Sequence, residues 1–374
     1  MGARTPVGVG VIGAGNISDQ YLQSLARFPD VRVLTVGDLD SDRAKAQAHK
    51  HGVPHGGTAA DVLAHDGVDI VVNLTIPAAH ADISAQAVAA GKHVWSEKPI
   101  AVDRASGRAL LDQAAAAGLR VGVAPDTVLG PGLQTARRAI ERGDIGQPLS
   151  AQTVMQTAGP DAWHPSPEFL FARGAGPLFD MGPYYITTLL NLFGPVERVA
   201  AVGSTSRSVR TIRTGERAGT AFDVEVPTHV SALAQFAAGA VSQSVFSFDS
   251  PLTRVGIVEV TGTEGTMLLP DPNHFTGEAR ITRAPAGRTD REPVWHALPP
   301  VGAEAGRGLG ALDMARAIRN GRPHIATGDV AYHVLDVLTS IDESITTGES
   351  VRLQSAIDAI PLLDDTTSPF EASL

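Results

Sequence analysis

Apolar runs and amphipathic segments alternate along the first third of the chain. Short runs rich in β-branched residues predict buried strands at Val7–Ile12, Val31–Val36, Ile70–Leu74, His93–Ser96 and Arg120–Val123. Apolar residues recur at helical spacing between them, in Ile17–Arg27, Ser41–His51, Asp82–Ala90 and Asp103–Ala117. Ser41 and Asp103 are candidate N-caps, and Gly52, Gly91 and Gly118 are candidate C-terminal stops. This alternation predicts an α/β domain with a doubly wound parallel sheet.

The pattern changes after Pro125. A helical segment at Gly130–Arg142 precedes strand-like runs at Ser150–Met155, Val196–Val202, Thr228–Phe236, Ala240–Phe248, Arg254–Thr261 and Thr266–Leu269. Further helices are predicted at Pro183–Leu192, Leu309–Arg319 and Val330–Thr347. We therefore expect domains at 1–125 and 126–366, the second an α+β domain with a large, mostly antiparallel sheet. The polar segment Ser206–Glu225 is predicted to be an exposed irregular loop, and 367–374 a loose tail.

A glycine turn after the first strand predicts a dinucleotide site. Gly13-Ala14-Gly15 ends the first apolar run, and Asp38 ends the second. Glycines at this point let the backbone approach a pyrophosphate at a helix N-terminus, and the acidic residue accepts both ribose hydroxyls. Ser18 stands at the third glycine position, where a small residue still permits close packing. NAD is expected rather than NADP, since a 2′-phosphate would meet Asp38. The alternative is a structural glycine turn without a ligand.

Composition narrows the function classes. The chain has 374 residues, a formal net charge of -10 and no cysteine. Thiolate catalysis and disulfides are excluded, and no basic cluster indicates a nucleic-acid partner. No apolar run reaches membrane-spanning length, and the first strand begins too early for a cleavable signal, so a cytoplasmic protein is expected. Nothing in the spacing of His164, His229 and Asp180 is typical of a metal motif, so no metal is predicted.

Two polar positions follow strands of the predicted parallel sheet. Glu97-Lys98-Pro99 comes directly after His93–Ser96, and Asp126 follows the last strand of the first domain. Ligands of open α/β sheets bind beyond the carboxyl ends of the strands. A lysine there can hold negative charge that develops on a substrate oxygen, and Asp126 could accept from a substrate hydroxyl. The alternative for Glu97 and Lys98 is a solvated ion pair in a surface loop.

Asp180 and Tyr184 are four residues apart near a predicted helix start. That spacing places them on one helix face, where a tyrosine could act as an acid/base. Three alternatives remain. Asp180 could be the N-cap of a helix that begins near Gly182, Tyr184 could be a core aromatic, and the neighbouring Tyr185 could be the functional residue.

Three histidines are weaker candidates. Trp163-His164 could present a sugar with a stacking face and a hydrogen-bonding partner, and His229 at a strand start could face the same pocket. His80 is expected near the cofactor, with a helix surface as the equal alternative.

These motifs together resemble the Gfo/Idh/MocA oxidoreductases. The resemblance rests on Gly13–Ile17, Thr75-Ile76-Pro77-Ala78-Ala79-His80, Glu97-Lys98-Pro99, Gly174–Gly182 and Gly262–Thr266. It implies an N-terminal Rossmann domain and an open-faced C-terminal sheet that often packs between subunits, hence a homodimer or homotetramer. It implies sugar or polyol substrates and a Lys98 that touches nicotinamide and substrate, often beside a cis Lys98–Pro99 bond. Implied cofactor residues are Gly13, Gly15, Asn16, Ile17, Asp38, Leu74, Thr75, Ile76, His80, Glu97 and Lys98.

The resemblance also assigns roles. Most of the family has a catalytic histidine where this chain has Tyr184, although some members have tyrosine there. The expected activity is NAD-dependent hydride transfer at a CH–OH group of a sugar, glycoside or inositol. Tyr184 would move the proton, Lys98 would polarise the oxygen and Asp180 would orient the pair. The alternatives are a redox-neutral glycosidase or epimerase that uses NAD transiently, and a non-catalytic NAD-sensing protein.

Overall fold

The computed structural model describes residues 5–283, 292–364 and 368–374. Its helices are α1 Asn16–Leu25, α2 Ser41–Lys50, α3 Ala59–Ala64, α4 His80–Ala89, α5 Arg104–Ala116, α6 Pro131–Glu141, α7 Gly176–Phe193, α8 Leu309–Asn320 and α9 Gly328–Thr347. Its strands are β1 Val7–Ile12, β2 Val31–Gly37, β3 His55–Gly57, β4 Ile70–Asn73, β5 His93–Ser96, β6 Val121–Val123, β7 Pro148–Gln156, β8 Val196–Ser204, β9 Val209–Thr211, β10 Ala221–Asp223, β11 His229–Phe236, β12 Val241–Ser247, β13 Arg254–Gly262, β14 Gly265–Leu268, β15 Ala279–Arg283, β16 His296–Leu298 and β17 Val351–Arg352.

The chain divides into two compact units. The first comprises Met1–Pro131, Val301–Leu335 and Pro361–Leu374, and the second comprises Gly132–Pro300 and Asp336–Ile360. This division differs from the expected single boundary after residue 125, because two later segments return to the first unit. Hydrophobic periodicity predicts elements but carries no information on which unit a late helix joins.

The first unit confirms the predicted doubly wound sheet. Its six strands run in the order β3-β2-β1-β4-β5-β6, and every pair is parallel. The order reverses between β1 and β4, the kind of point at which α/β proteins bind ligands. The short β3 and α3 have no counterpart among the predicted elements, because three and six residues are too few for a recognisable period.

The helix ends follow the expected capping chemistry with one exception. The Asp103 side chain accepts from Ser106 N at 2.8 Å and caps α5, as predicted. For α2 the cap is Asp40, not Ser41, because its carboxylate accepts from the backbone of Asp42 and Arg43. The predicted stops Gly52, Gly91 and Gly118 all have positive φ, which side chains with a Cβ rarely adopt.

The second unit holds a nine-stranded sheet within the described residues, in the order β16-β15-β14-β13-β7-β12-β11-β8-β17. Its pairs are antiparallel except β7 with β12. Helix α7 packs on the face that carries Phe246. Side chains alternate between faces along a strand, so Val202, Leu233 and Val241 lie on the opposite face, where all three are exposed.

The segment Ser206–Glu225 was expected to be irregular, and this is wrong in part. Strands β9 and β10 form an antiparallel pair within it, and Arg210 on β9 is buried. The polar sequence of this segment does not predict a buried strand, because Arg210 is buried among ion-pair partners rather than among apolar side chains.

Residues 368–374 are held against the first unit rather than forming a loose tail. Asp30 accepts from Ser373 N at 3.0 Å, and Arg316 donates to the carbonyls of Ser368 and Glu371. The Phe370 ring lies 5.9 Å from that of Phe28. Buried residues far away in sequence thus hold residues 368–374 in place, although this segment has no hydrophobic periodicity that predicts a helix or strand.

Candidate active site

The glycine turn has the shape that a bound pyrophosphate requires. Gly13 has φ 109°, and a Cβ there would lie 2.6 Å from the backbone of Leu74. A Cβ at Gly15 would meet nothing within 4 Å. Gly15 is exposed at the start of α1, and no side chain caps the helix there. The exposed first turn of α1, with Asn16 and Ile17, is therefore open to an anionic ligand.

Ser18 packs against the buried side of this glycine turn. Its side chain is buried, and its hydroxyl donates to Gly15 O at 2.6 Å and accepts from Gln47 Nε2 at 2.9 Å. A serine at the third glycine position is therefore compatible with the turn, as the sequence predicts.

Asp38 sits beside the glycine turn with its carboxylate well anchored. Oδ2 accepts from Ala14 N at 2.7 Å, and Oδ1 accepts from Asp40 N at 2.9 Å and from Arg43 Nη2 at 2.5 Å. Burial raises the pKa of Asp38, but the hydrogen bonds from Arg43, Ala14 and Asp40 outweigh it and hold the pKa below its usual value. The group is charged at neutral pH and suits ribose hydroxyls better than a phosphate.

Two exposed apolar side chains, which follow β2 and β4, lie at this carboxyl edge of the parallel sheet. Leu39, directly after Asp38, is 102% exposed and Ile76 is 68% exposed. Ile76 belongs to the predicted cofactor set, but Leu39 was missed. Its position directly after Asp38, at the end of a predicted strand, could have marked Leu39 as a cofactor-binding residue. Such side chains offer an aromatic base an apolar face.

The loop after β4 is fixed from within. Leu74 is buried, and Thr75 donates its hydroxyl hydrogen to Asn73 Oδ1 at 2.6 Å. His80 begins α4 and is 1% exposed, so it is not a helix-surface residue. Its Nδ1 lies 2.7 Å from Pro99 O and its Nε2 lies 2.9 Å from Thr75 O. His80 thus links the loops that follow β4 and β5.

The Glu97-Lys98-Pro99 segment follows β5 at the same edge of the sheet. Lys98 is half-buried, and the Lys98–Pro99 peptide bond is cis, as the resemblance implies. Glu97 is buried rather than part of a solvated surface pair. Its Oε2 accepts from Lys98 N at 3.1 Å, and its Oε1 accepts from Tyr21 O–H at 2.9 Å.

Asp126 follows β6 but is fully buried. Its Oδ2 accepts from Gly308 N at 2.8 Å and from Gly310 N at 3.0 Å, at the start of α8. Burial raises its pKa to about 6. The carboxyl group therefore supports α8 in this structure, and its contact with a substrate hydroxyl stays a prediction.

Helix α7 carries the candidate acid/base. The helix begins at Gly176, so Asp180 lies in its second turn and the N-cap alternative is wrong. Tyr184, one turn later, is largely buried. Tyr185 is fully buried, accepts from Gly256 N at 2.8 Å and packs edge-on against Phe246. Burial raises the pKa of Tyr185 well above its usual value, so it is a structural residue and a poor proton carrier.

An aromatic cluster defined by Trp163, His164 and Phe169 stands on the loop before α7. The His164 ring lies 5.5 Å from the Trp163 ring and 5.4 Å from the Phe169 ring. Trp163 is 66% exposed and Phe169 is 55% exposed. Phe169 was missed, because an isolated aromatic in a loop carries no periodic signal. Exposed aromatics beside a histidine can stack on a sugar or another ring.

Buried ion pairs hold this cluster in place. Arg210 donates to Asp161 Oδ1 at 2.6 Å and to Asp249 Oδ1 at 2.5 Å. The guanidinium also bonds the carbonyls of Ala158 and Phe248. Asp161 and Ala158 flank the turn that leads into Trp163, so β9 determines where the cluster stands.

His229 is not brought together with Asp180 and Tyr184. It bonds Ser231 Oγ at 3.2 Å, and strand alternation places both on the sheet face opposite α7. Its substrate contact stays a prediction. Across 5–283, 292–364 and 368–374 no group of three histidine or acidic side chains is arranged to hold a metal ion. No helix in those ranges has the length and apolarity needed to span a membrane.

Comparison with known proteins identifies the family. Residues 7–124 match the oxidoreductase family with an NAD-binding Rossmann fold, and residues 133–268 match the GFO/IDH/MocA C-terminal domain. The chain belongs to the Gfo/Idh/MocA oxidoreductase family. It is therefore an NAD-binding oxidoreductase, as the motifs predict.

Several relatives that match this chain are named as dehydrogenases. A trans-1,2-dihydrobenzene-1,2-diol dehydrogenase of Bos taurus is 28% identical over 268 residues, 70% of this chain and 74% of the relative. A D-apiose dehydrogenase of Paraburkholderia graminis is 26% identical over 368 residues, 96% of this chain and 92% of the relative. A levoglucosan dehydrogenase structure in complex with NADH and L-sorbose has a TM-score of 0.80 at 23% identity, covering 93% of this chain and 99% of that one.

Proposed function

We propose that this protein is an NAD-dependent dehydrogenase or reductase that acts on a CH–OH group of a sugar, polyol or related cyclic diol. The observation that carries the proposal is the Glu97-Lys98-Pro99 segment, which follows β5 at the same carboxyl edge of the parallel sheet as the glycine turn after β1, with β4 between the two strands. The names of the relatives support the substrate class.

The residues at this edge fit NAD. The residues that would hold it are Gly13, Gly15, Asn16, Ile17, Asp38, Leu74, Thr75, Ile76, His80, Glu97 and Lys98. To these we add Leu39, which with Ile76 would cover the adenine ring. When bound, NAD supplies a nicotinamide C4 that accepts or returns a hydride.

Three side chains would act on the substrate. Lys98 donates a hydrogen bond to the reacting oxygen and stabilises the negative charge that grows there. Tyr184 takes or returns the hydroxyl proton, and Asp180, one helical turn earlier, orients it. Trp163 and His164 bind the ring of the substrate, with Phe169 as an added contact.

The experiment is a panel of sugars, glycosides, inositols and cyclic diols incubated with the purified protein and NAD. NADH formation is followed by absorbance, and the product of the best substrate is identified by mass. Lys98→Met keeps the length and apolar stem of the side chain but removes its charge. We expect this variant to bind NADH while losing about 100-fold or more in kcat.

The same panel separates the alternatives. A redox-neutral enzyme would convert a glycoside without net NADH, and an NAD sensor would bind NADH and convert nothing. If Lys98→Met loses less than about tenfold in kcat, Lys98 is not the group that stabilises the oxygen.

We further propose that the chain forms a homo-oligomer through the open face of the nine-stranded sheet. Val202, Leu233 and Val241 are exposed there, in and around a groove of about 530 Å³. Leu233→Arg should convert the oligomer to a monomer in analytical ultracentrifugation. A monomeric wild type would reject this interface. The cytoplasmic location stays a prediction.

A further inference from the structure

The backbone around Lys98 is held by two buried side chains, that of the preceding Glu97 and that of His80 at the start of α4. On one side, the Glu97 carboxylate accepts from Lys98 N at 3.1 Å. On the other, His80 Nδ1 lies 2.7 Å from Pro99 O. The peptide group that precedes Lys98 and the one that follows Pro99 are therefore fixed independently of the Lys98 side chain.

Glu97 passes this constraint to helix α1. Its second oxygen accepts from Tyr21 O–H at 2.9 Å, and the Tyr21 oxygen in turn accepts from Trp95 Nε1 at 3.3 Å. Tyr21 and Trp95 are both fully buried. Burial and the nearby Glu97 charge raise the pKa of Tyr21 well above its usual value, so its hydroxyl remains a donor over the working pH range.

A cation compensates the buried carboxylate. Arg307 Nη1 lies 4.0 Å from Glu97 Oε1, and Arg307 Nε donates to Gln20 Oε1 at 3.2 Å. The arginine precedes α8, whose start is fixed by Asp126 through Gly308 and Gly310. A Cβ at Gly310 would lie 2.0 Å from the Trp95 ring, so α8 lies directly against the ring that supports Tyr21.

We propose that Tyr21 is a positioning residue for Lys98, acting through the Glu97 carboxylate, which ties the backbone of the lysine to helix α1. The proposal rests on the proposed function for its kinetic consequence but not for its structural one. Tyr21 touches neither substrate nor reacting atoms in this role. Its hydroxyl determines the orientation of Glu97, and Glu97 determines the peptide group from which Lys98 extends.

Tyr21→Phe is the direct test, because it removes one buried hydroxyl and keeps the ring. Tyr185→Phe is the matched control, since it removes another buried tyrosine hydroxyl, bonded to Gly256 N in the second unit. We expect kcat of Tyr21→Phe to fall about tenfold, since displacing a reacting group by about 1 Å costs on the order of 100-fold. The Kd for NADH should change less than about twofold, which loss of fold would not allow.

A second readout needs no substrate. The chain has only four lysines, Lys45, Lys50, Lys92 and Lys98, so reductive methylation with 13C-formaldehyde produces a simple NMR spectrum. Lys98→Arg assigns the Lys98 signal. In Tyr21→Phe we expect that signal to shift or broaden and its titration midpoint to move, while the other three lysine signals stay in place. Tyr185→Phe should leave all four unchanged.

These outcomes separate the two proposals. If no panel compound produces NADH, the proposed function fails, and the lysine spectrum still decides the role of Tyr21. If the Lys98 signal and kcat of Tyr21→Phe match those of Tyr185→Phe, Tyr21 has no positioning role. Glu97→Gln serves if Tyr21→Phe does not fold. It keeps the shape but removes the charge, and an unmoved Lys98 signal in that variant would equally overturn the proposal.

Discussion

At the scale of single residues, the hydrogen bonds that a polar side chain makes within the protein determine whether it is available to a ligand. Asp38 uses both oxygens on the backbone of Ala14 and Asp40 and on Arg43, and it lies at the end of β2, where we propose that the ribose binds. Tyr184 and Tyr185 are adjacent in sequence, but the second is committed to Gly256. The amino-acid type alone does not show which of two neighbouring tyrosines is structural.

Asp38→Ala should narrow the preference for NAD over NADP. The substitution removes the negative charge that a 2′-phosphate would meet, and it leaves Arg43 available to pair with that phosphate. The ratio of kcat/KM for the two cofactors is the measurement. Asp42→Ala is the control, because this carboxylate is exposed and pairs with Lys45 rather than with Arg43 or the glycine turn. An unchanged ratio in Asp38→Ala would remove Asp38 from this role.

Tyr184→Phe should lower kcat by about 100-fold or more, in line with loss of a proton-transfer group. The ring stays, so thermal melting should change little. Tyr185→Phe should keep kcat, because that hydroxyl serves the backbone of Gly256. The pH dependence of kcat for wild type and both variants is the measurement. If neither substitution matters but His164→Ala does, the proton passes through the aromatic loop instead.

At the scale of elements, loops that look irregular in sequence are fixed by buried charges. The β9 strand is only three residues long, but Arg210 on it joins the turn before Trp163 to the end of β12. Because the Asp161 carboxylate is buried and that of Asp249 is partly buried, they need this cation.

Arg210→Met should destabilise the aromatic cluster and raise KM for the substrate. It leaves Asp161 and Asp249 without their buried partner, which typically costs about 3 kcal/mol or more. Arg213→Met is the matched control. Arg213 also pairs with Asp161, at 3.2 Å, but its side chain is 50% exposed against 4% for Arg210. An exposed pair contributes only about 1 kcal/mol or less.

Melting temperature, KM for the substrate and Kd for NADH are measured for both variants. We expect Arg210→Met to change the first two and Arg213→Met to change neither, with NADH binding unaffected in both. Equal effects of the two substitutions would show that burial of Arg210 is not what holds the loop.

At the scale of the whole molecule, a buried histidine links stability to pH. His324 lies 3.2 Å through Nε2 from Val121 O and is buried beside β6. Burial lowers its pKa from 6.5 to about 4. Because the folded pKa is depressed, the unfolded chain binds the proton first, so stability falls as the pH drops from 6.5 toward 4.

His324→Gln should weaken this pH dependence. The amide can still donate to Val121 O but does not titrate. Between pH 7 and pH 5 we expect the wild type to lose about 2 kcal/mol more stability than the variant. Thermal melts at both pH values provide the comparison. Parallel loss in both proteins would mean that His324 is not protonated on unfolding in this range.

The sequence by itself determined the parallel sheet and the residues at its carboxyl edge. Strands Val7–Ile12 and His93–Ser96 are predicted to the residue. For Val7–Ile12 the reason is that a strand buried on both faces is a continuous apolar run. The glycine turn, Asp38 and Lys98 follow those strands directly. Local chain geometry therefore brings them to this edge of the sheet, and distant side chains such as Tyr21 and His80 then hold the Lys98 segment in place.

Only the tertiary structure decided which polar side chains make their hydrogen bonds inside the protein. Asp126 caps α8, Tyr185 bonds Gly256, and Arg210 joins a loop to a strand, each across many residues of sequence. The return of α8 and of residues 368–374 to the first unit has the same origin. Periodicity reports which face of an element is apolar, but the partner of a buried polar group is chosen by contacts between distant segments. That choice separates a structural tyrosine or aspartate from one available to a substrate.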